Sequence, residues 1–153
     1  MARRLVLCVV FCCLQGLYAE SETLFEKYGK QYGILPQILW GIAKAESNFN
    51  PKAVNKNSNG TYDLGLMQIN TIHLKALAKE GISASDLFYP ETSVAVGASI
   101  LAKCFEKHGQ NWKGLTCYNG RIENNNYAKN VLNGVLFELD KQNRAIGYVA
   151  LSN

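Results

Sequence analysis

Glu46 and Asp63 are the two residues of this chain best placed to do chemistry. Glu46 lies in Ala45-Glu46-Ser47-Asn48-Phe49-Asn50, where a predicted apolar helix runs out. Asp63 follows seventeen positions on (63 − 46) and opens Asp63-Leu64-Gly65-Leu66-Met67-Gln68-Ile69-Asn70. A carboxyl at the end of an apolar helix is readily desolvated, which raises its pKa toward working pH. Ala45, Phe49 and Ile42, one turn back, supply apolar neighbours. Cleaving a glycosidic bond needs such an acid, because the leaving oxygen must receive a proton near neutral pH. The positive charge growing at the anomeric carbon must then be stabilised, by a second carboxylate or by an N-acetyl group of the substrate itself. The bland alternative for Glu46 is a solvated helix end.

The second segment adds recognition chemistry. Gly65 permits a backbone shape or close approach that other residues forbid. Leu66, Met67 and Ile69 can fill a core beneath a cleft. Gln68 and Asn70 point the same way if the segment is extended. Their amides both donate and accept hydrogen bonds, as N-acetyl and hydroxyl groups require. The alternative is a buried turn whose amides satisfy neighbouring backbone.

These segments need elements to hold them. Thr23 and Glu26 have capping-box spacing for a helix that reaches Gln31 and ends at Gly33. Pro36 fits the first turn of a second helix, with Ile38, Leu39, Ile42 and Ala45 at helical spacing. The polar stretch 48–62 reads as a long loop or a short hairpin around Asn59-Gly60. Asn70 is placed to cap a helix from Thr71 to Glu80, stopped by Gly81, and Asp86 or Pro90 starts the next region. Ser93 to His108 reads as a long apolar helix closed by Gly109, and Asn111 opens a short one toward Tyr118. The last strong helix spans Tyr127 to Asp140, with Val131, Leu132, Val135 and Leu136 as its buried stripe. Ala145 to Leu151 reads as a strand or a loosely packed end. The sum is a mostly α single domain.

Residues 1–19 are expected to be a secretory signal peptide: Arg3 and Arg4, an apolar run from Leu5 to Leu14, then Leu17-Tyr18-Ala19 before a cut. A retained N-terminal anchor is the alternative. Removing that leader takes Lys+Arg from 16 to 14 against 12 acids, a net +2. With no Lys/Arg cluster, this charge does not point to nucleic acid, and it is compatible with an anionic polymer. The 48% hydrophobic and 18% charged composition excludes a disordered chain. Three of the five cysteines lie in the leader, leaving Cys104 and Cys117. In an oxidising compartment that pair favours a disulfide; two free buried thiols are the alternative. Neither has His or a further Cys at metal spacing, so no metal site is expected. His73 and His108 read as surface or helix-end residues. Trp40 and Trp112 read as core or cleft-edge packing before sugar stacking.

Glu46-Ser47, Gly65-Leu66-Met67-Gln68-Ile69 and Tyr118-Asn119-Gly120, in that order, resemble the motif set of the soluble lytic transglycosylase (SLT, goose-lysozyme-like) family over about residues 22–137. The form of the first two motifs is most similar to the small transglycosylases encoded with secretion, pilus and conjugation systems. The resemblance implies a lysozyme-like fold over 20–153, with a small loop or hairpin region beside a cleft. It implies a monomeric, exported enzyme of the periplasm or cell envelope, acting without cofactor on peptidoglycan glycan strands. That enzyme cleaves the β-1,4 bond from N-acetylmuramic acid to N-acetylglucosamine and leaves 1,6-anhydro ends. Components of a secretion, pilus or conjugation apparatus are the implied partners.

By the same resemblance, Glu46 is the sole acid/base. Ser47, Gln68, Asn70, Tyr118, Asn119 and Tyr127 fall at substrate-binding positions. Two departures stand out. Cys117 occupies a place where many relatives have Ala, and Leu64 one where larger relatives have Ser. The Glu46 and Asp63 segments are also similar to animal-type lysozymes, which use both carboxylates but carry four disulfides that this chain lacks. Two other functions therefore stay open: a hydrolytic muramidase using Glu46 and Asp63, and a non-catalytic wall-binding accessory protein.

Overall fold

A computed structural model describes residues 21–120 and 126–151. The expected signal peptide lies outside the described residues. The elements run α1 (Leu24–Tyr32), α2 (Pro36–Ser47), β1 (Val54–Lys56), β2 (Tyr62–Leu64), β3 (Ile69–Asn70), α3 (Leu74–Leu77), α4 (Pro90–His108), α5 (Trp112–Tyr118) and α6 (Tyr127–Leu151). Short 3-10 turns cover Thr71–His73, Ala78–Glu80 and Ser85–Phe88. The mostly α architecture with a small sheet matches the expectation from sequence.

Local chemistry sets the helix ends. The Thr23 backbone N–H donates to Glu26 Oε2 at 2.7 Å, and the Glu26 N–H donates to Thr23 Oγ1 at 3.2 Å, closing the capping box of α1. Pro36 opens α2, and Asn111 caps α5. Leu39, Ile42 and Ala43 on α2, Val94, Ala98 and Leu101 on α4, and Val131 on α6 form the centre of the core. Helix α2 lies between α1 and α6, and α4 packs on α5 and α1.

The polar stretch after α2 is the hairpin alternative rather than a plain loop. Antiparallel β1 and β2 pair Val54 with Leu64, Asn55 with Asp63 and Lys56 with Tyr62 around a turn at residues 57–61. Strand β3 adds on the other side, pairing Asp63 with Asn70. Asp63 therefore sits on the middle strand.

Three expectations need correction. Residues 71–80 form a broken 3-10/α/3-10 run, not one helix. Only Leu77 of this run is fully buried, so little apolar packing imposes regular α geometry. On α6, Leu132 and Leu136 are 40% and 63% exposed, whereas Ala128, Val131 and Val135 face the core. A β-carbon on Gly41 of α2 would lie 2.9 Å from the Val131 carbonyl oxygen, so this contact centres the buried stripe on Val131. One residue further is about 100° round the helix, which carries Leu132 and Leu136 out of it. Finally, the tail is not a strand: α6 runs on to Leu151. Lys141, Gln142 and Arg144 are good helix formers and carry it past the expected stop.

Candidate active site

Glu46 occupies the last turn of α2, and the chain turns sharply behind it. Asn48 and Phe49 take left-handed backbone angles (φ 50 and 64), which end the helix. A left-handed phenylalanine is strained. Its ring packs on Trp40 at 5.0 Å between centroids and holds the turn. The Ser47 hydroxyl donates to the Leu66 carbonyl at 2.7 Å and the Ala43 carbonyl at 3.2 Å. It ties the end of α2 to the segment that follows Asp63. Ser47 is thus placed on backbone, not on the cleft surface where its motif position puts substrate contacts.

The segment 65–68 is a tight turn. Gly65 has φ 75, and a β-carbon there would fall 1.9 Å from the Leu87 carbonyl oxygen. The Ser93 hydroxyl on α4 accepts from the Met67 N–H at 3.0 Å. The premise that Gln68 and Asn70 share one extended strand fails, because Gln68 itself has φ 48 and β3 begins at Ile69. Gln68 Nε2 donates to the carbonyls of Gly65 (2.8 Å) and Ala53 (3.2 Å), and its Oε1 accepts from Asn55 Nδ2 at 2.6 Å. Its amide is largely spent on local backbone, while the residue still lines the cleft.

That cleft measures about 780 Å³, and its walls include Glu46, Asp63, Gln68, Asn70, Tyr118 and Asn119. The structure therefore brings both predicted carboxylates and both distant motifs to one place. Asp63 accepts from Asn57 Nδ2 at 2.9 Å and Asn70 Nδ2 at 2.6 Å, so two amides fix its carboxylate on the hairpin. Asn70 also accepts from the Ile72 N–H, the capping role expected of it.

Glu46 is largely buried, and burial pushes its carboxyl pKa from 4.5 up to about 7. The Tyr127 hydroxyl donates to Glu46 Oε1 at 2.7 Å and pulls the other way, while the nearby Asp63 charge raises it further. No donor occupies Oε2 among the described residues, which leaves that atom to carry a proton. Tyr118 donates its hydroxyl to the Met67 carbonyl at 2.8 Å. Burial raises the pKa of both Tyr118 and Tyr127, so both stay protonated hydrogen-bond donors. Gly97 on α4 makes room for this arrangement. A β-carbon there would come within 2.9–3.0 Å of the Met67 side chain and 3.0 Å of the Tyr118 hydroxyl.

Cys104 on α4 and Cys117 on α5 form a disulfide, the first of the two alternatives. It fastens the short helix that ends in Tyr118 to the long one. Trp40 packs on Phe49, and Trp112 is 55% exposed rather than packed; neither lines the cleft. His108 ends α4 as expected; His73 is half-buried on the cleft wall, and burial lowers its pKa. Among the described residues, no three His, Cys, Asp or Glu converge where they could hold a metal ion.

Sequence reasoning missed Asn55 and Asn57, whose two-residue spacing in a polar arm was the available signal. It also missed Lys103 and Lys107, which line the cleft from α4. They share a helical stripe with Ile100 and Cys104.

A family model described as the transglycosylase SLT domain matches residues 23–134. The chain is 44% identical over 91 residues to "Invasion protein IagB" of Salmonella typhimurium, covering 59% of this chain and 57% of that protein. It is 40% identical over 96 residues to "Protein IpgF" of Shigella flexneri, covering 62% and 63%. The chain thus spans less than two thirds of the length of either relative. Among solved structures, an inactive mutant of the lytic transglycosylase Slt from Pseudomonas aeruginosa superposes with a TM-score of 0.64. That match is 22% identical and covers 83% of this chain and 25% of the other, a likeness of fold. The fold is mostly α, as expected from sequence, and is shared with that lytic transglycosylase.

Proposed function

Because the chain belongs to the transglycosylase SLT domain family, we propose that it is a peptidoglycan lytic transglycosylase with Glu46 as its acid/base. The observation that carries this reading is a largely buried Glu46 on the cleft wall, its pKa pushed up to about 7. Near neutral pH such a carboxyl both holds a proton to give and can take one back.

The reaction needs both acts from one group. Glu46 protonates the glycosidic oxygen of the β-1,4 bond as the bond from muramoyl C1 breaks, releasing N-acetylglucosamine as an alcohol. The Glu46 carboxylate then takes the proton of the muramoyl C6 hydroxyl while that oxygen attacks C1. This closes the 1,6-anhydro ring and returns Glu46 to its protonated form. No water is consumed. Tyr127 orients the carboxyl through Oε1 and leaves Oε2 to carry the proton. Tyr118 and Gln68 hold the 65–68 turn, and Asn119 and Asn70 offer amides to the sugar. Ser47 is assigned a positioning part, because its hydroxyl is engaged with backbone. The protein is placed in the cell envelope, beside a machine that must pass the wall. The relative named as an invasion protein supports that placement.

The hydrolytic reading keeps one supporting observation: Asp63 shares the cleft and its charge reaches Glu46. Two substitutions separate the readings. Glu46→Gln should lower release of soluble muropeptides about a thousandfold, the scale of a lost general acid. Asp63→Asn should cost less than about tenfold if the substrate supplies its own stabilisation. An Asp63→Asn loss as deep as that of Glu46→Gln would favour the two-carboxylate hydrolase. Equal release by wild type and Glu46→Gln would leave only a wall-binding accessory role.

A further inference from the structure

The charges of the cleft are arranged in two groups. Glu46 and Asp63 supply the negative side, and Lys103 and Lys107 on α4 supply the positive side. Residues 100, 103, 104 and 107 of α4 fall on one helical stripe, and all four line the cleft. The Cys104–Cys117 bridge lies in that stripe and fixes it to the helix that carries Tyr118. The two lysines are therefore held on a stapled wall. Both are exposed, and neither forms an ion pair among the described residues; Glu106 on the same helix does not neutralise them. Lys103 is also close enough to the half-buried His73 to add to the lowering of its pKa.

We propose that Lys103 and Lys107 are specificity residues that bind the carboxylates of the stem peptides branching from the muramoyl groups. This rests on the reading that the cleft takes peptidoglycan. Where each muramoyl lactyl carboxyl is tied up in the amide to its peptide, the glycan backbone is uncharged, so two unpaired ammonium groups have no partner on it. The anionic groups of the polymer lie on the peptides. Four helical residues separate the lysine α-carbons by about 6 Å along the axis. Carboxylates two residues apart on an extended peptide are separated by about 7 Å, so one stem peptide can meet both lysines. A strand with ionised stem-peptide carboxylates is thereby preferred over one whose peptide carboxylates are neutralised, and the mild attraction offsets the Asp63 charge facing the same polymer.

The test reads binding, so a chain that cuts nothing still answers it. The Glu46→Gln protein is titrated with soluble peptide-bearing glycan oligomers and with the same oligomers whose peptide carboxylates have been converted to neutral carboxamides. The preference expected for the carboxylate form is about tenfold, the scale of two exposed charge pairs. Adding K103E/K107E should abolish that preference, and K103R/K107R should keep it. The amidated oligomers serve as the control for an intact cleft. An equal preference in the glutamate variant, no preference in the parent, or an equal loss on both oligomers would overturn the assignment. Failure of the transglycosylase reading shows separately, in the cleavage products of the wild-type protein.

Discussion

The buried state of Glu46 predicts a specific pH dependence of stability. The folded chain holds the Glu46 proton with a pKa near 7, against 4.5 for an ordinary glutamate. A raised folded-state pKa means that the native state binds the proton more tightly than the unfolded one. The resulting stabilisation is present in full below 4.5 and is lost as pH rises through about 7. At about 1.4 kcal/mol per tenfold change in proton affinity, the loss approaches about 3 kcal/mol. Glu46→Gln removes the titration and leaves the other shifted groups (Glu26, Asp86, Glu91, His73) in place. Their contributions cancel when the two proteins are compared. Urea unfolding of both proteins from about pH 4 to pH 8 should therefore show the glutamine variant gaining on the wild type by about 2–3 kcal/mol, most of it between pH 5 and 7. A difference that stays flat to within about 0.5 kcal/mol, or that runs the other way, would refute the claim that Glu46 is desolvated.

Tyr127→Phe removes the hydrogen bond that lowers the Glu46 pKa. The alkaline limb of the kcat/KM profile should move to higher pH, and an unmoved or lowered limb would count against the pairing. Cys104 and Cys117 are 13 residues apart. Replacing both by Ala should cost about 3 kcal/mol, a fall of roughly 6–12 °C in Tm for a chain of this size, measured by calorimetry. Gly65→Ala meets the Leu87 carbonyl at 1.9 Å and forces a left-handed alanine. It should cost more than about 2 kcal/mol in urea unfolding.

Much of the site was legible before the fold was known, for identifiable reasons. Thr23-x-x-Glu26, Pro36 and Asn111 act through local chemistry, and each starts a helix where spacing placed it. Glu46 was legible because it closes a helix whose Ile42, one turn back, is buried; Ala45, expected to help shield it, is exposed. Gln68 was legible as a cleft residue but not in its conformation. A left-handed glutamine closes the Gly65 turn and is held from across the hairpin by Asn55, a partner that is not local to it. The exposed Leu132 and Leu136 were misplaced for a similar reason. Periodicity marks an apolar stripe, but the close approach of Gly41 decides which part of it is covered. Lys103 and Lys107 look like ordinary helix-surface lysines until α5 is stapled beside them.

The most direct test of the central claim, a single acid/base that excludes water from the product, is wall digestion in oxygen-18 water followed by mass spectrometry of the muramoyl ends. The wild-type protein should give 1,6-anhydro ends with no heavy oxygen, and Glu46→Gln should give none. Reducing ends carrying one heavy oxygen would contradict the claim.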